Sequence, residues 1–116
     1  MSQPFSLSKV DEKLANRVLA SLSEVEKLLL ESTKSTDPFI SDVASHLAKA
    51  GGKRFRPLLV CFASEFGKPT QDTISAAVVV EITHLATLYH DDVMDEAPRR
   101  RGTESANARW DNTLAI

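Results

Sequence analysis

The segment from Thr70 to about Glu96 restricts the possible folds most, because it contains neither glycine nor proline. The run Val78–Val80 within it favours a strand when taken alone, since β-branched residues are enriched in sheets. Strands, however, are usually about 3–10 residues long, and this segment continues for about 25 residues without a turn signal. We therefore predict one long helix, which Pro98 prevents from continuing.

Three further helices are predicted ahead of this segment. The first has Ser8 as its N-cap and runs to about Ser32, with apolar residues at steps of three and four. The second starts with Asp37–Pro38 as N-cap and first helical residue and stops at Gly51–Gly52. Pro57 opens the third, Leu58–Phe66, which is apolar on all sides and is expected to be buried. The predicted fold class is all-α.

The composition is that of an ordinary globular chain: of 116 residues, 42% are hydrophobic and 26% are charged, with a formal net charge of -2. This charge disfavours bulk binding to nucleic acid or to an anionic membrane. Cys61 has no cysteine partner in the chain, and its apolar neighbours favour a buried thiol in a reducing compartment. The most apolar stretch, Ile74–Tyr89, is shorter than the roughly 20 residues of a membrane span. Because Met1–Phe5 also lacks the features of a signal peptide, we expect a soluble, cytoplasmic protein.

A stripe of mostly polar residues runs down the long helix from Glu81 and His84 to Asp91 and Asp95. Asp91 and Asp95 are four residues apart and therefore share a helix face, with Asp92 one step around. The helix dipole disfavours anions in the last turn by about 0.3–1 kcal/mol each, and the apolar residues upstream favour burial of the cluster. A solvated acidic helix end is the alternative. A bound divalent cation would remove the repulsion, and ligands that are all oxygen favour Mg²⁺.

Two basic segments flank this helix. Gly51–Pro57 places Lys53, Arg54 and Arg56 in a glycine-opened loop before a helix N-terminus, an arrangement that suits a phosphate or diphosphate. Arg99–Gly102 follows the acidic end. Alone, the first segment is explained as a solvated basic loop, and the second as counter-charge to the aspartates or as a nucleic-acid patch. Together with the acidic cluster, they predict a site for two diphosphates and Mg²⁺.

The three histidines leave a further alternative open. His84 lies about two turns before Asp91 on a similar face, where it is a candidate anion donor, although a lone histidine on an apolar helix is usually a packed core residue. His90 beside Asp91 is also typical of metal-dependent phosphohydrolases that use a His–Asp pair and further histidines. Since His46, His84 and His90 are the only histidines and His46 lacks supporting acidic neighbours, this alternative is the weaker one.

Four motifs resemble those of the trans-isoprenyl diphosphate synthases, or polyprenyl synthases. They are Gly51–Pro57, Glu81–His84, Asp91–Asp95 and Arg100–Gly102, in the order and spacing of that family, over about Ala50 to Ile116. The resemblance implies the N-terminal helices of an isoprenoid-synthase-type helical bundle. It also implies an enzyme that condenses an allylic prenyl diphosphate with isopentenyl diphosphate, head to tail and with Mg²⁺, to make a trans-polyprenyl diphosphate.

The resemblance also implies roles for individual residues. Isopentenyl diphosphate is bound by Lys53, Arg56, His84 and Arg101, the allylic diphosphate by Arg100, and Mg²⁺ by Asp91 and Asp95. Asp92 belongs to the catalytic aspartate motif in a supporting role. Ala86 and Thr87, which precede Asp91 by five and four residues, are positions where bulky aromatic residues accompany short products in this family. Because both are small here, we expect a medium- or long-chain product.

The family pattern is only partly present in the chain. Family members are about twice as long or longer, and their second aspartate-rich motif is absent here. We therefore expect residues 1–116 to be the N-terminal portion of a single all-α domain, truncated after Ile116 and inactive alone, and the full-length enzyme to be a homodimer. The alternative is a noncatalytic helical interaction module or a subunit of a heteromeric synthase.

Overall fold

The computed structural model describes residues 11–100 and 102–116. The helices are α1 (Glu12–Ser32), α2 (Pro38–Lys49), α3 (Phe55–Ser64), α4 (Gln71–Met94), α5 (Ala106–Trp110) and α6 (Asn112–Ala115). Between α4 and α5, the segments β1 (Arg99–Arg100) and β2 (Thr103–Glu104) form a two-stranded antiparallel hairpin. The all-α prediction is confirmed. The hairpin was not predicted, because a strand pair this short has no hydrophobic alternation to reveal it.

The described residues divide into two compact units. The first contains residues 11–29 and 53–81, and the second contains residues 30–52 together with 82–100 and 102–116. Both units therefore receive part of α1 and part of α4. Among the described residues, no helix has the length and apolar character that crossing a membrane would require.

Helix α1 confirms the predicted apolar face. Its buried residues are Ala15, Val18, Leu22, Val25 and Leu29. The helix begins at Glu12, and the Asp11 carboxylate accepts a hydrogen bond from the Leu14 backbone N–H at 3.1 Å. This contact makes Asp11 the cap, because it satisfies one of the backbone donors left open at a helix start. Ser8, the predicted N-cap, lies outside the described residues.

Helix α2 begins as predicted, with the Asp37 carboxylate accepting from the Phe39 backbone N–H at 2.9 Å and Pro38 in the first turn. It ends before Gly51 and Gly52, whose φ values of 88° and 150° are positive and hence suited to glycine.

The prediction for α3 was wrong in its bounds and in its burial, and the helix ends at Ser64 where Phe66 was predicted. The helix begins at Phe55, two residues before Pro57. It is not buried on all sides: Leu58 and Cys61 are buried, whereas Phe55 and Leu59 are about half exposed, at 47% and 51%. The core of the first unit covers one side of this helix, and an apolar sequence alone does not specify which sides are covered. Burial of the Cys61 thiol is confirmed, and it raises the pKa of that thiol, with a smaller contribution from Glu65.

The C-terminus of α4 has the hydrogen bonds of a Schellman motif. The Ala97 N–H donates to the Asp92 carbonyl at 2.9 Å, and the Glu96 N–H donates to the Val93 carbonyl at 3.2 Å. Glu96 occupies the position that glycine usually takes, with a φ of 51°. Left-handed backbone costs a residue with a Cβ about 1–2 kcal/mol. Pro98 follows directly and prevents the helix from resuming.

We therefore expect Glu96→Gly to stabilise the protein by about 0.5–1 kcal/mol, because relief of left-handed strain exceeds the entropy that glycine adds to the unfolded chain. Urea denaturation followed by circular dichroism measures this. Glu96→Ala is the matched control, since it removes the same carboxylate but keeps the Cβ. Equal stabilisation by both variants would assign the effect to charge and contradict the prediction.

Candidate active site

The acidic end of α4 separates its three aspartates by exposure. Asp91 and Asp95 lie one turn apart on an exposed face, whereas Asp92 is 0% exposed. The expectation that the whole cluster is buried was therefore wrong. Asp92 shares the face of the buried Leu85 and Leu88, and the helical rotation of one residue turns Asp91 away from that face. Neither the Asp91 nor the Asp95 carboxylate makes a hydrogen bond or ion pair with another described residue.

The buried Asp92 carboxylate is paired with Arg100. Both Nε and Nη2 of Arg100 donate to Asp92 Oδ1, at 2.8 and 2.6 Å. The hydrogen bonds to Asp92 raise the pKa of Arg100, and desolvation of the Arg100 side chain, which is 30% exposed, offsets part of this effect. Asp92 Oδ2 is buried and accepts no hydrogen bond from the residues that the structure describes. A buried carboxylate requires a cation or a hydrogen-bond donor, and Arg100 provides both. The pair of Arg100 and Asp92 therefore ties β1 to the last turns of α4.

The hairpin and the start of α5 hold Arg100 in this position. Arg100 pairs with Thr103 across the hairpin, and Gly102 turns the chain with a φ of 77°. The Ser105 hydroxyl donates to the Ala97 carbonyl at 2.5 Å and accepts from the Ala108 N–H as the N-cap of α5. Arg101, a predicted ligand of isopentenyl diphosphate, lies outside the described residues.

The other predicted diphosphate ligands are divided between the two units. Lys53 and Arg56 lie in the first unit and are exposed, beside the N-terminus of α3. His84 lies in the second unit, half-buried on α4, and its carbonyl accepts a hydrogen bond from the Thr87 hydroxyl at 2.6 Å. The structure therefore places Asp92 and Arg100 in direct contact within the second unit. Lys53 and Arg56 belong to the first unit.

The sequence analysis missed an ion-pair cluster in the first unit. Arg54 is buried, and it donates through Nε and Nη2 to the two carboxylate oxygens of Glu26, at 2.7 and 3.0 Å. Its Nη1 lies 3.7 Å from Glu81 Oε2, and the Glu81 side chain is 2% exposed. Glu81 was the one sequence feature that indicated this cluster, because a carboxylate in an apolar helix needs a cation from elsewhere in the chain. Nothing in the spacing identifies Glu26.

An apolar pocket of about 250 Å³ lies in the second unit beside the acidic turn. Ala86 is in its wall, together with Ile82, Leu85 and Tyr89 of α4 and with Val43 of α2. Thr87, the other predicted chain-length residue, is exposed and is not in this wall.

Tyr89 anchors the wall of this pocket to α2. Its hydroxyl donates to the Val43 carbonyl at 2.8 Å and accepts from the Leu47 N–H at 3.2 Å. Burial raises the pKa of this phenol, and the hydrogen bond from Leu47 offsets part of that effect.

The histidine arrangement does not support the phosphohydrolase alternative. His90 Nε2 lies 3.0 Å from the Ile116 carbonyl, whereas His46 Nε2 contacts the Glu104 carbonyl and its ring meets Trp110 edge to face. Over residues 11–100 and 102–116, no three side chains of histidine, cysteine, aspartate or glutamate converge to form a metal cage. The two carboxylates of Asp91 and Asp95 suit Mg²⁺, which commonly takes one or two carboxylates and completes its shell with phosphate and water.

Comparison with known proteins identifies the family. The polyprenyl synthetase family model matches residues 37–116, which is more than half of the chain. The chain belongs to the polyprenyl synthetase family. Nonaprenyl diphosphate synthase of Mycobacterium tuberculosis is 48% identical over 109 residues, covering 91% of this chain and 32% of that protein. Heptaprenyl diphosphate synthase component 2 of Bacillus subtilis is 41% identical over 93 residues, covering 79% of this chain and 27% of that protein.

A solved structure agrees with the assignment to the polyprenyl synthetase family. Polyprenyl synthase from Caulobacter crescentus, complexed with calcium and isoprenyl diphosphate, matches with a TM-score of 0.82 and 32% sequence identity. The match covers 100% of this chain and 34% of that one. The chain thus spans about a third of the length of the relatives it matches. The family resemblance and the all-α fold are confirmed.

Proposed function

We propose that the chain is the N-terminal third of a prenyltransferase that condenses an allylic diphosphate with isopentenyl diphosphate to make a trans-polyprenyl diphosphate. The observation that carries this proposal is the acidic turn of α4. There, Asp91 and Asp95 are exposed on one face, and the buried Asp92 holds Arg100 beside them. The relatives named above supply the reaction class, and their greater length supports a chain that continues beyond this third.

Asp91 and Asp95 are the proposed Mg²⁺ ligands. Their carboxylates are acceptor-only, lie on a shared helix face and are exposed, so they fit a hard divalent cation. A bound Mg²⁺ supplies positive charge that neutralises a diphosphate leaving group. The Caulobacter crescentus relative, which is complexed with calcium and isoprenyl diphosphate, supports a divalent cation beside a prenyl diphosphate in this family.

The cationic residues bind and orient the two substrates. Arg100 binds the allylic diphosphate, and Asp92 acts through Arg100 by holding its guanidinium. Isopentenyl diphosphate is bound by Lys53, Arg56, His84 and Arg101. The allylic C–O bond breaks with its electron pair leaving on the diphosphate, the isopentenyl double bond attacks the allylic cation, and a proton is lost from the new unit. The protein contributes alignment of the reactants and stabilisation of the departing charge.

The small residues before the acidic turn are the proposed limit on product length. Ala86 lies in the wall of the apolar pocket, five residues before Asp91, and its side chain leaves space there. Thr87 is exposed on the neighbouring face. A prenyl chain anchored by its diphosphate near Asp91 would extend along this part of α4. We propose a medium- or long-chain product, longer than geranylgeranyl.

The complete enzyme is proposed to be a homodimer in the cytoplasm. The second candidate is a subunit of a heteromeric synthase, which is supported by the relative named heptaprenyl diphosphate synthase component 2. Activity of the purified full-length polypeptide separates the two: a homomeric enzyme turns over alone, whereas a heteromeric subunit requires a second polypeptide.

Residues 1–116 alone are expected to show no prenyltransferase turnover, because they span about a third of an active relative's length and contain only one aspartate-rich motif. The measurement is incubation with Mg²⁺, an allylic diphosphate and radiolabelled isopentenyl diphosphate, followed by extraction of prenylated products. Product above the level of a no-enzyme control would contradict the expectation.

In the full-length synthase, Asp91→Ala and Asp95→Ala are each expected to lower kcat by at least about a hundredfold, since each removes a group that stabilises transition-state charge. Thermal melts should show unchanged or slightly higher stability, because a helix C-terminus disfavours anions. Glu96→Ala is the matched control, an acidic residue in the same region with no assigned ligand role. Near-normal turnover in both aspartate variants would make the acidic turn a solvated helix end.

Ala86→Phe in the full-length synthase is expected to shorten the products, because a phenyl ring fills space in the pocket wall. Chromatography of the dephosphorylated products measures the chain length. Ala76→Phe is the matched control, because Ala76 is an exposed alanine of α4 that is not in the pocket wall. An unchanged product distribution at retained activity would exclude Ala86 from control of chain length.

A further inference from the structure

Arg54 differs from the other cations of the glycine-opened loop because its side chain is enclosed. The Arg54 side chain is 3% exposed, whereas the neighbouring Lys53 and Arg56 are exposed. Two of its nitrogens meet both oxygens of the Glu26 carboxylate, and the third lies 3.7 Å from Glu81. A side chain enclosed in this way does not reach a substrate. Its fork geometry is the bidentate contact that fixes an arginine most firmly.

The backbone of Arg54 is also specialised. Its φ of 53° and ψ of 35° place it in the left-handed region, where an arginine is uncommon. Arg54 is the N-cap of α3, and its carbonyl accepts the first helical hydrogen bond, from the Leu58 N–H at 3.0 Å. Within the described part of the chain, the Arg54 side chain makes no capping hydrogen bond to this helix start. The contacts to Glu26 on α1 and Glu81 on α4 tie this left-handed turn to the body of the first unit.

We propose that Arg54 is a positioning residue for the isopentenyl diphosphate site. Its ion pairs hold the left-handed turn, and that turn sets the direction in which Lys53 and Arg56 leave the backbone. This inference rests on the proposed function, in which those two side chains bind the diphosphate. Arg54 and Glu26 thereby act on substrate binding through their neighbours, without touching substrate. Glu26 has no place in any motif of the sequence analysis.

The charge balance of the cluster supports a positioning role over a binding role. One guanidinium faces two carboxylates, Glu26 and Glu81, so the cluster carries a formal surplus of negative charge. Such a cluster offers no net attraction to a diphosphate. Its burial instead makes each partner depend on the others, because a buried charge that loses its partner is destabilised.

Glu26→Gln in the full-length synthase tests the proposal, because it keeps the side-chain shape and removes the charge that holds Arg54. We expect the KM for isopentenyl diphosphate to rise by about tenfold, as for a small misplacement of binding groups. The KM for the allylic diphosphate should change less than about twofold. Arg54→Lys, which keeps the charge but loses the fork, should have the same selective effect. The double variant should be no worse than the more impaired single variant, since both act on one contact.

The ion pair between Arg17 and Glu65 provides the matched control. It also starts from α1 in the first unit, with a nitrogen–oxygen distance of 2.6 Å, and the Arg17 and Glu65 side chains are 60% and 12% exposed. Glu65→Gln should leave both KM values unchanged. Circular dichroism melts verify folding, and if Glu26→Gln does not fold, Glu26→Asp replaces it with the same selective expectation.

The possible outcomes are distinguishable. An active wild-type synthase whose KM for isopentenyl diphosphate is unchanged in the folded Glu26 variant overturns this inference and leaves the proposed function intact. Equal increases in both KM values, or additive effects in the double variant, also overturn it, because they indicate general loss of structure or independent roles. A wild-type synthase that forms no prenylated product overturns the proposed function and this inference with it.

Discussion

The structure depends on the burial of two carboxylates in one apolar helix. Glu81 and Asp92 of α4 are 2% and 0% exposed, and each faces an arginine from a different basic segment. Arg54 approaches Glu81 in the first unit, and Arg100 pairs with Asp92 in the second. A carboxylate removed from water requires a cation or donor nearby, so α4 constrains where each basic segment must lie within its own unit.

The pairing of buried charges also separates the charged residues within each motif into buried and exposed ones. In the acidic turn, the buried Asp92 pairs with Arg100, while Asp91 and Asp95 remain exposed. In the glycine-opened loop, the buried Arg54 pairs with Glu26, while its neighbour Lys53 remains exposed. Adjacent charged residues differ in burial because each step along the backbone changes the direction of the side chain. Each motif therefore contains exposed charged side chains beside a buried one that contacts the rest of its own unit.

Much of this fold follows from local rules, which explains why the sequence predicts it. The bounds of α4, the Asp37 cap and the apolar stripe of α1 depend on spacing and on single residues such as Pro98. What the sequence does not predict depends on contacts between distant segments. The burial of Asp92 but not Asp91 requires knowing which face of α4 meets the core. The partnership of Arg54 with Glu26 joins residues 28 positions apart, and no periodicity connects them.

Energetics favour a functional reason for keeping these charges buried. An ion pair within a core is often replaceable by well-packed apolar residues with no loss of stability, and sometimes with a gain. Replacing a whole ion pair therefore need not lower the stability of its unit, whereas removing one partner leaves the other charge buried and unpaired. The bidentate guanidinium of Arg54 does provide a fixed direction, which an apolar side chain of similar volume does not. Transfer between two diphosphate substrates depends on alignment of the reacting carbons, where displacements of about 1 Å are costly. A buried guanidinium therefore fixes the direction of the backbone next to it, at a cost in desolvation.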